Sequence, residues 1–288
     1  MTDPTAPAAP ATPSPDAADG SRPPWVRILT EYGIVWITIA LFVLLTVTSS
    51  SFLTTGNLRN IVDQQSLIVI AASAMTLTLI SGNFDISVAA TYINASILAA
   101  LMHNWTGSVL LAIGSGIVLG CLFGLINGVL VARVGINSFI ATLATSFIFF
   151  GIGFLMSDRS IVRVEDRDFF NVSKHRLFGF ITNASWIALA IVLLLWFVLE
   201  RTTFGRHLFA VGGNPEAATL AGVRVPRTLV TTFVITGAAA GLAGALLASR
   251  TLSAQPSDDF SFVFSVLTAV IIGGTSIAGG EGAVWRTI

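Results

Sequence analysis

Apolar residues run almost without interruption over about 33–51, 62–80, 86–102, 109–131, 137–156, 184–199 and 229–249. Each run approaches the ~20 residues a helix needs to cross a bilayer, so the pattern predicts seven spans. An eighth run begins near Phe262, but its apolar part ends at Gly273, roughly half the ~20-residue crossing length, which predicts a broken or re-entrant helix. The expected fold is all-α, a polytopic α-helical membrane protein with about eight or more transmembrane segments.

Two polar interruptions are long. Residues 157–183 are too polar to cross, and Phe169, Phe170, Phe178 and Phe180 suggest a folded cap at the interface. Residues 200–228 carry helix signals of their own. Asn214 can cap free amides, Pro215 fits the first helical position, and Glu216 faces the positive end of the helix dipole. Gly222 can take a left-handed ending and Pro226 follows it, so a helix is predicted from Pro215 to Leu220 or Ala221. Two turns do not persist in water unless they pack on something.

Composition confirms the class. Hydrophobic residues make up 54% of the 288, charged residues 10%, and the mean hydropathy is +0.83, too apolar for a soluble domain. The single cysteine, Cys121, lies in an apolar run and reads as a small packing residue. Residues 1–30 read as a disordered tail, since seven of the ten prolines fall before residue 25. The apolar run that follows reads as a first membrane helix rather than a signal peptide. Charge does not set the orientation, because alternating loops place seven basic residues on each side, with Arg286 unplaced.

Glycines mark close helix packing: Gly116, Gly120, Gly124 and Gly128 recur every four residues, and Gly237, Gly241 and Gly244 form a second small-residue face. Asp85, in SGNFDIS with Ser87, is flanked closely on both sides by membrane-like sequence. An ionisable group at depth suggests function, while the neighbouring turn residues suggest a cap for a helix starting at Ile86. In GGTSIAGGEG, Gly273 and Gly274 permit a break, and Thr275 or Ser276 can cap the next helical piece. Such breaks line substrate paths in transporters, and they also occur as plain turns. A phosphate loop is excluded, since the only lysine, Lys174, follows Ser173. His103, His175 and His207 lie scattered, with no paired ligand spacing, and read as solvated or interfacial. There is no Gly-x-Ser-x-Gly elbow.

Three stretches, FGRHLFAVGGNPEAATLAGV, SGNFDISVAATYINASILAAL and VLTAVIIGGTSIAGGEGAV, resemble the permeases of bacterial ATP-binding-cassette sugar importers of the ribose, xylose and galactose type. With their spacing they cover nearly all of the chain after Trp25. The resemblance implies a permease domain over residues 31–288, with the tail and the 200–228 loop in the cytoplasm and 157–183 outside. It implies that Gly213, Asn214, Pro215, Glu216, Ala217, Ala218, Leu220 and Gly222 form the helix coupled to cytoplasmic ATPase subunits. It makes Asp85, Ser87, Gly273, Gly274, Thr275 and Ser276 the candidate translocation path. The implied partners are the ATPase, an extracytoplasmic solute-binding protein, a second permease subunit (homo- or heterodimer) and the lipid of the bacterial inner membrane, with no nucleic acid. ATP is used by the partner subunit and no cofactor is bound by this chain. Related permeases read GGIDLSVG where this chain has SGNFDISVA, which leaves the solute open. They also continue past the GGTS element, so terminal helices are expected to be missing here. The alternatives are a branched-chain amino-acid permease, an ion-coupled carrier needing buried ionisable groups, and a membrane scaffold.

Overall fold

The computed structural model describes residues 33–177, 179 and 181–288. The tail expected over residues 1–30, together with Phe178 and Phe180, lies outside them. The chain divides into two compact units, Met1–Asn57 and Leu58–Ile288. In the first, α1 (Gly33–Thr48) carries exposed apolar side chains, and Phe42 packs edge-on against Phe52, with ring centroids 5.1 Å apart.

Helix α2 (Thr55–Ile80) leads into the second unit, followed by α3 (Val88–Thr106), α4 (Val109–Val129) and α5 (Ser138–Met156). Helix α4 ends in a π turn over Leu130–Val134, closed by Gly135 at φ +82°. Then come α6 (Arg167–Lys174), α7 (Asn183–Arg201), α8 (Thr203–Gly213), α9 (Pro215–Leu220), α10 (Val225–Thr251) and α11 (Ser261–Ile272). Two short antiparallel ladders complete the unit: β1 (Val162–Arg163) with β4 (Ser253–Ala254), and β2 (Arg176–Leu177) with β3 (Ile181–Thr182).

Every apolar run read from the sequence forms a helix. Five described helices are long and apolar enough to cross a membrane: α2, α4 with its π turn, α5, α7 and α10. Helix α11 is the predicted half-helix, with 12 residues ending at Gly273. Helix α3 is long enough but more polar, for a physical reason: from Val88 to His103 it is buried or half-buried on all sides, and only its last turn, with Trp105, is exposed. Its Thr91, Asn94 and Ser96 turn toward protein, and the Asn94 side-chain amide donates to the Phe149 carbonyl of α5 at 2.8 Å.

Helix α10 packs chiefly on α4 and α3, and the two glycine stripes are the reason it can. A Cβ on Gly120 would lie 2.0 Å from the Gly237 carbonyl oxygen, and one on Gly241 would lie 2.2 Å from that of Gly116. Lipid gives helices no hydrophobic drive to associate, so backbone contact at this range supplies the dispersion energy instead. Thr78 and Thr236 add a hydroxyl bridge of 2.7 Å between α2 and α10. Apolar side chains on α4 and α7, such as Val118, Leu122, Leu193 and Phe197, remain exposed, as lipid-facing positions should.

Among the described residues of 157–183, α6 packs on the helix bundle. Ser249 of α10 donates its hydroxyl to the Phe169 carbonyl at 2.6 Å, and the Ser173 hydroxyl donates to the Leu246 carbonyl at 2.8 Å, which pins α6 onto α10. His103 corrects the sequence reading. It is buried within α3, stacks on Phe169 with centroids 4.5 Å apart, and places Nε2 3.0 Å from the Asp166 carboxylate. The Asp168 amide, and then the His103 ring, hold the Asp166 carboxyl below its usual range.

Candidate functional site

The predicted short helix exists as α9. Asn214 is extended (φ −159°), and its side-chain oxygen accepts the Ala217 amide at 2.9 Å, with Pro215 in the first turn. At the other end Gly222 sits at φ +85°, the Gly222 amide donates to Thr219, and the Val223 amide reaches back to the Ala218 carbonyl at 2.9 Å. These bonds satisfy the last free carbonyls without a further turn. Only Ala218 of α9 is buried; Pro215, Glu216 and Ala217 are exposed, and Leu220 is 91% exposed. The helix therefore rests on one small side chain and presents the rest outward.

What holds α9 in place is α8, a helix the sequence reading left as polar loop. Its signal was present in the spacing of Leu208 and Val211, three residues apart and both buried, after a Thr202 hydroxyl that accepts the Gly205 amide at 3.4 Å. At its end Gly212 lies against α2: a Cβ there would meet the Ile80 carbonyl oxygen at 1.8 Å and the Gly280 amide nitrogen at 2.7 Å. The Gly280 amide itself donates to the Ile80 carbonyl at 2.9 Å. Gly279, at φ +88°, has no room for a side chain either, with the Gly82 backbone 2.8 Å from its would-be Cβ. Two glycine turns and a helix end that are far apart in sequence thus meet backbone to backbone, at Gly82, Gly279 and Gly212. Beside them opens a cleft of about 520 Å³ bordered by Ser81, Asn83, Ile136, Asn137, Gly213 and Pro215.

Asp85 does not face that cleft. It is buried, and its Oδ1 accepts from the Ser87 amide at 3.0 Å and the Ser87 hydroxyl at 2.6 Å. The helix begins at Val88 rather than Ile86, because Asp85 stabilises a turn across Ile86 and Ser87 before α3 starts. Ser87 extends the contact: Asn127 of α4 donates to its hydroxyl at 2.6 Å, and Thr145 of α5 donates to Asn127 at 2.7 Å. Sequence reasoning missed Asn127 and Thr145, though a polar amide amid the glycines of an apolar span was a readable signal. We expect Asp85→Asn to keep the turn, since an amide oxygen also accepts, and any loss of uptake would then belong to the charge. Asp85→Leu should cost about 1–3 kcal/mol by leaving the Ser87 amide without its acceptor. Thermal unfolding in detergent checks this, and an unchanged melting point for Asp85→Leu would remove the structural role.

The Gly273–Ser276 group lies apart from the Asp85 network, and neither set lines the cleft. Thr275 and Ser276 do not cap a following helix. Positive φ at Gly274, Gly279 and Gly280 turns the chain back on itself, and the Ser276 amide donates to the Glu281 carbonyl at 3.0 Å. Thr275 is buried against Gly282, which also packs on Ile80. Gly273 touches the Arg286 backbone.

The opposite end of the bundle holds a second buried acid. Asp63 of α2 pairs with Lys174 and with Arg250, whose Nη2 lies 2.9 Å from its Oδ1, and accepts the Thr182 hydroxyl at 2.8 Å. The sequence reading singled out Asp85 alone. Asp63 lay at the very start of an apolar run, and its partner Arg250 at the end of another, so the pair could not be seen from either run separately.

The family described as branched-chain amino acid transport system / permease component matches residues 57–280. The chain belongs to this permease family. The permease is 36% identical over 258 residues to the L-arabinose transport system permease protein AraH of Escherichia coli (strain K12), covering 90% of this chain and 78% of the relative. It is 33% identical to the ribose import permease protein RbsC of the same organism, covering 87% and 80%. Against the D-allose transport system permease protein AlsC, also from that strain, identity is 34%, covering 82% and 73%. No solved structure matches. The permease is a multi-pass membrane protein, and each stretch that carried the resemblance lies wholly or largely inside the matched region.

Proposed function

We propose that the permease is the membrane-spanning subunit of a binding-protein-dependent, ATP-driven importer of a monosaccharide or similar small polar solute. The observation that carries this reading is the glycine junction. An exposed, doubly capped helix is joined through Gly212 to the end of α2 and through Gly279 and Gly280 to the loop after α11. A push on α9 from a cytoplasmic ATPase would reach the ends of membrane helices through backbone contacts, which do not yield as flexible side chains do. On this reading ATP is bound and hydrolysed by the partner, this chain carries no cofactor, and the 200–228 end is cytoplasmic. The α6 cap faces outside, where a solute-binding protein delivers its load, and a second permease subunit completes the path. The cleft beside Ser81 and Pro215 is the inner mouth of that path, with Asp85, Ser87 and the Gly273–Ser276 turn behind its wall.

The family's description names branched-chain amino acids, whereas the three relatives are named for arabinose, ribose and allose. Their identities extend over most of this chain, which favours an aldose. The test is uptake by proteoliposomes holding the permease, its ATPase and its binding protein. ATP-dependent accumulation of a labelled aldose is expected, and accumulation of leucine or valine with no aldose uptake would overturn the sugar assignment.

A further inference from the structure

At the α9 end, a recess of about 360 Å³ opens between α8 and the start of α10. Its charged lining is wholly basic: Arg224 and Arg227 from the entry to α10 and His207 from α8, with the Thr228 and Thr231 side chains beside them. Both arginines are exposed, and among the described residues neither has a carboxylate partner. This contrasts with Arg250 and Lys174 at the far end, which both pair with Asp63.

Further along α10 an apolar groove of about 280 Å³ opens, lined by Ile117 of α4, Leu194 and Val198 of α7, and Ile235, Ala238 and Leu242 of α10. Thr231, Ile235, Ala238 and Leu242 follow one another at helical spacing on a single face of α10, so the groove continues the recess. Ala238 and Ala239 keep it open where a larger side chain would fill it. From Thr231 to Leu242 the stripe runs roughly 16 Å at 1.5 Å per residue. That is about half the ~30 Å hydrocarbon core, the depth of one leaflet. Trp196 of α7, half-buried and with the Arg201 guanidinium 5.9 Å from its ring centroid, is an aromatic–basic pair of the kind enriched at membrane interfaces.

We propose that this recess and groove together bind one anionic phospholipid, its phosphate held by Arg224, Arg227 and His207 and one acyl chain laid between α7 and α10. The charge selects an acidic headgroup, the exposed hydroxyl of Thr231 supplies a donor while that of Thr228 donates to the Arg224 carbonyl at 3.3 Å, and the groove gives the chain a fixed seat. A free phosphate shares the headgroup chemistry but has nothing to place in the groove.

The test uses the purified permease in detergent, with dioleoylphosphatidylglycerol, dioleoylphosphatidylcholine or inorganic phosphate added, read by native mass spectrometry and by the shift in melting temperature. Phosphatidylglycerol should be retained and should raise the melting point, while the other two should do neither. The Arg224→Gln/Arg227→Gln variant should weaken phosphatidylglycerol binding roughly 10- to 30-fold, as expected for the loss of two interfacial charges. Ala238→Phe, which leaves the basic recess intact and obstructs the groove, should weaken it as well. Arg159→Gln/Arg163→Gln, at the opposite end, should leave binding unchanged and controls for net charge. Equal retention of both lipids, full protection by phosphate alone, or unaltered binding by the Arg224/Arg227 variant would overturn the proposal. So would loss of ATPase copurification by that variant with lipid binding intact, which would assign the arginines to the partner.

Discussion

Replacing Gly237 with valine should leave little folded permease in the membrane. A Cβ at this position would stand 2.1 Å from the Gly120 carbonyl oxygen and 3.1 Å from the Gly124 Cα. The obstacle is backbone on the facing helix, so no rotamer change relieves it, and α4 and α10 must move apart by more than an ångström. That separation loosens the neighbouring contacts at Gly116, Gly124 and Gly241, and strains the Thr78 to Thr236 bridge. Overpacking a tight core costs about 1–3 kcal/mol and occasionally more, and this site belongs at or above the upper end. Gly114 of α4 and Gly151 of α5 provide the comparison, because nothing lies within 4 Å of a Cβ at either. Alanine at those positions should be neutral or stabilising by up to about 1 kcal/mol, from helix propensity alone. Monodisperse yield and melting temperature in detergent decide the matter. A Gly237→Val protein that melts with the wild type would mean that α4 and α10 do not meet as described.

The same glycines show what a sequence reveals and what it hides. The spacing of four between Gly116 and Gly128 disclosed a packing face because helical periodicity is local. That its partner is the Gly237 face, rather than a second copy of itself, is a tertiary fact. The caps of α9 were legible for the first reason: Asn214, Pro215 and Gly222 act within a few residues of themselves. Helix α8 was not, since the charges and glycines of RTTFGRHLFAVGG read as loop until Leu208 and Val211 are seen to be buried and Gly212 to touch Ile80. His103 was misread because burial depends on Phe169 and Asp166, more than sixty residues away along the chain. The buried network of Asp85, Ser87, Asn127 and Thr145 joins three helices, and no single run of sequence contains it.

Fraying α9 should uncouple solute from ATP hydrolysis while sparing the fold. The helix has six residues, too few to sustain itself, so its geometry depends on its two ends and on its seat against α8. Asn214→Ala removes the acceptor for the Ala217 amide and should cost the helix about 0.5–2 kcal/mol. Gly222→Val puts a β-branched side chain at φ +85°, where L-residues are strained by roughly 1–2 kcal/mol or more. That strain would also disturb the Val223 amide bond to Ala218 that closes the helix. Neither residue belongs to a membrane span, and Gly222 has nothing within 4 Å of a would-be Cβ, so insertion and melting temperature should change little. Glu216→Gln, which leaves both ends intact, should have a small effect, because an exposed first-turn charge is worth only about 0.3–1 kcal/mol. In the reconstituted complex, solute-stimulated ATP hydrolysis should fall several-fold for Asn214→Ala and further for Gly222→Val, with unstimulated hydrolysis retained and uptake falling in parallel. The order matters as much as the size: disrupted ends should outweigh a lost charge, because a short helix transmits force only while it stays rigid. Full stimulated hydrolysis and uptake in both end variants would mean that α9 is not the coupling element, and that the ATPase grips the permease elsewhere.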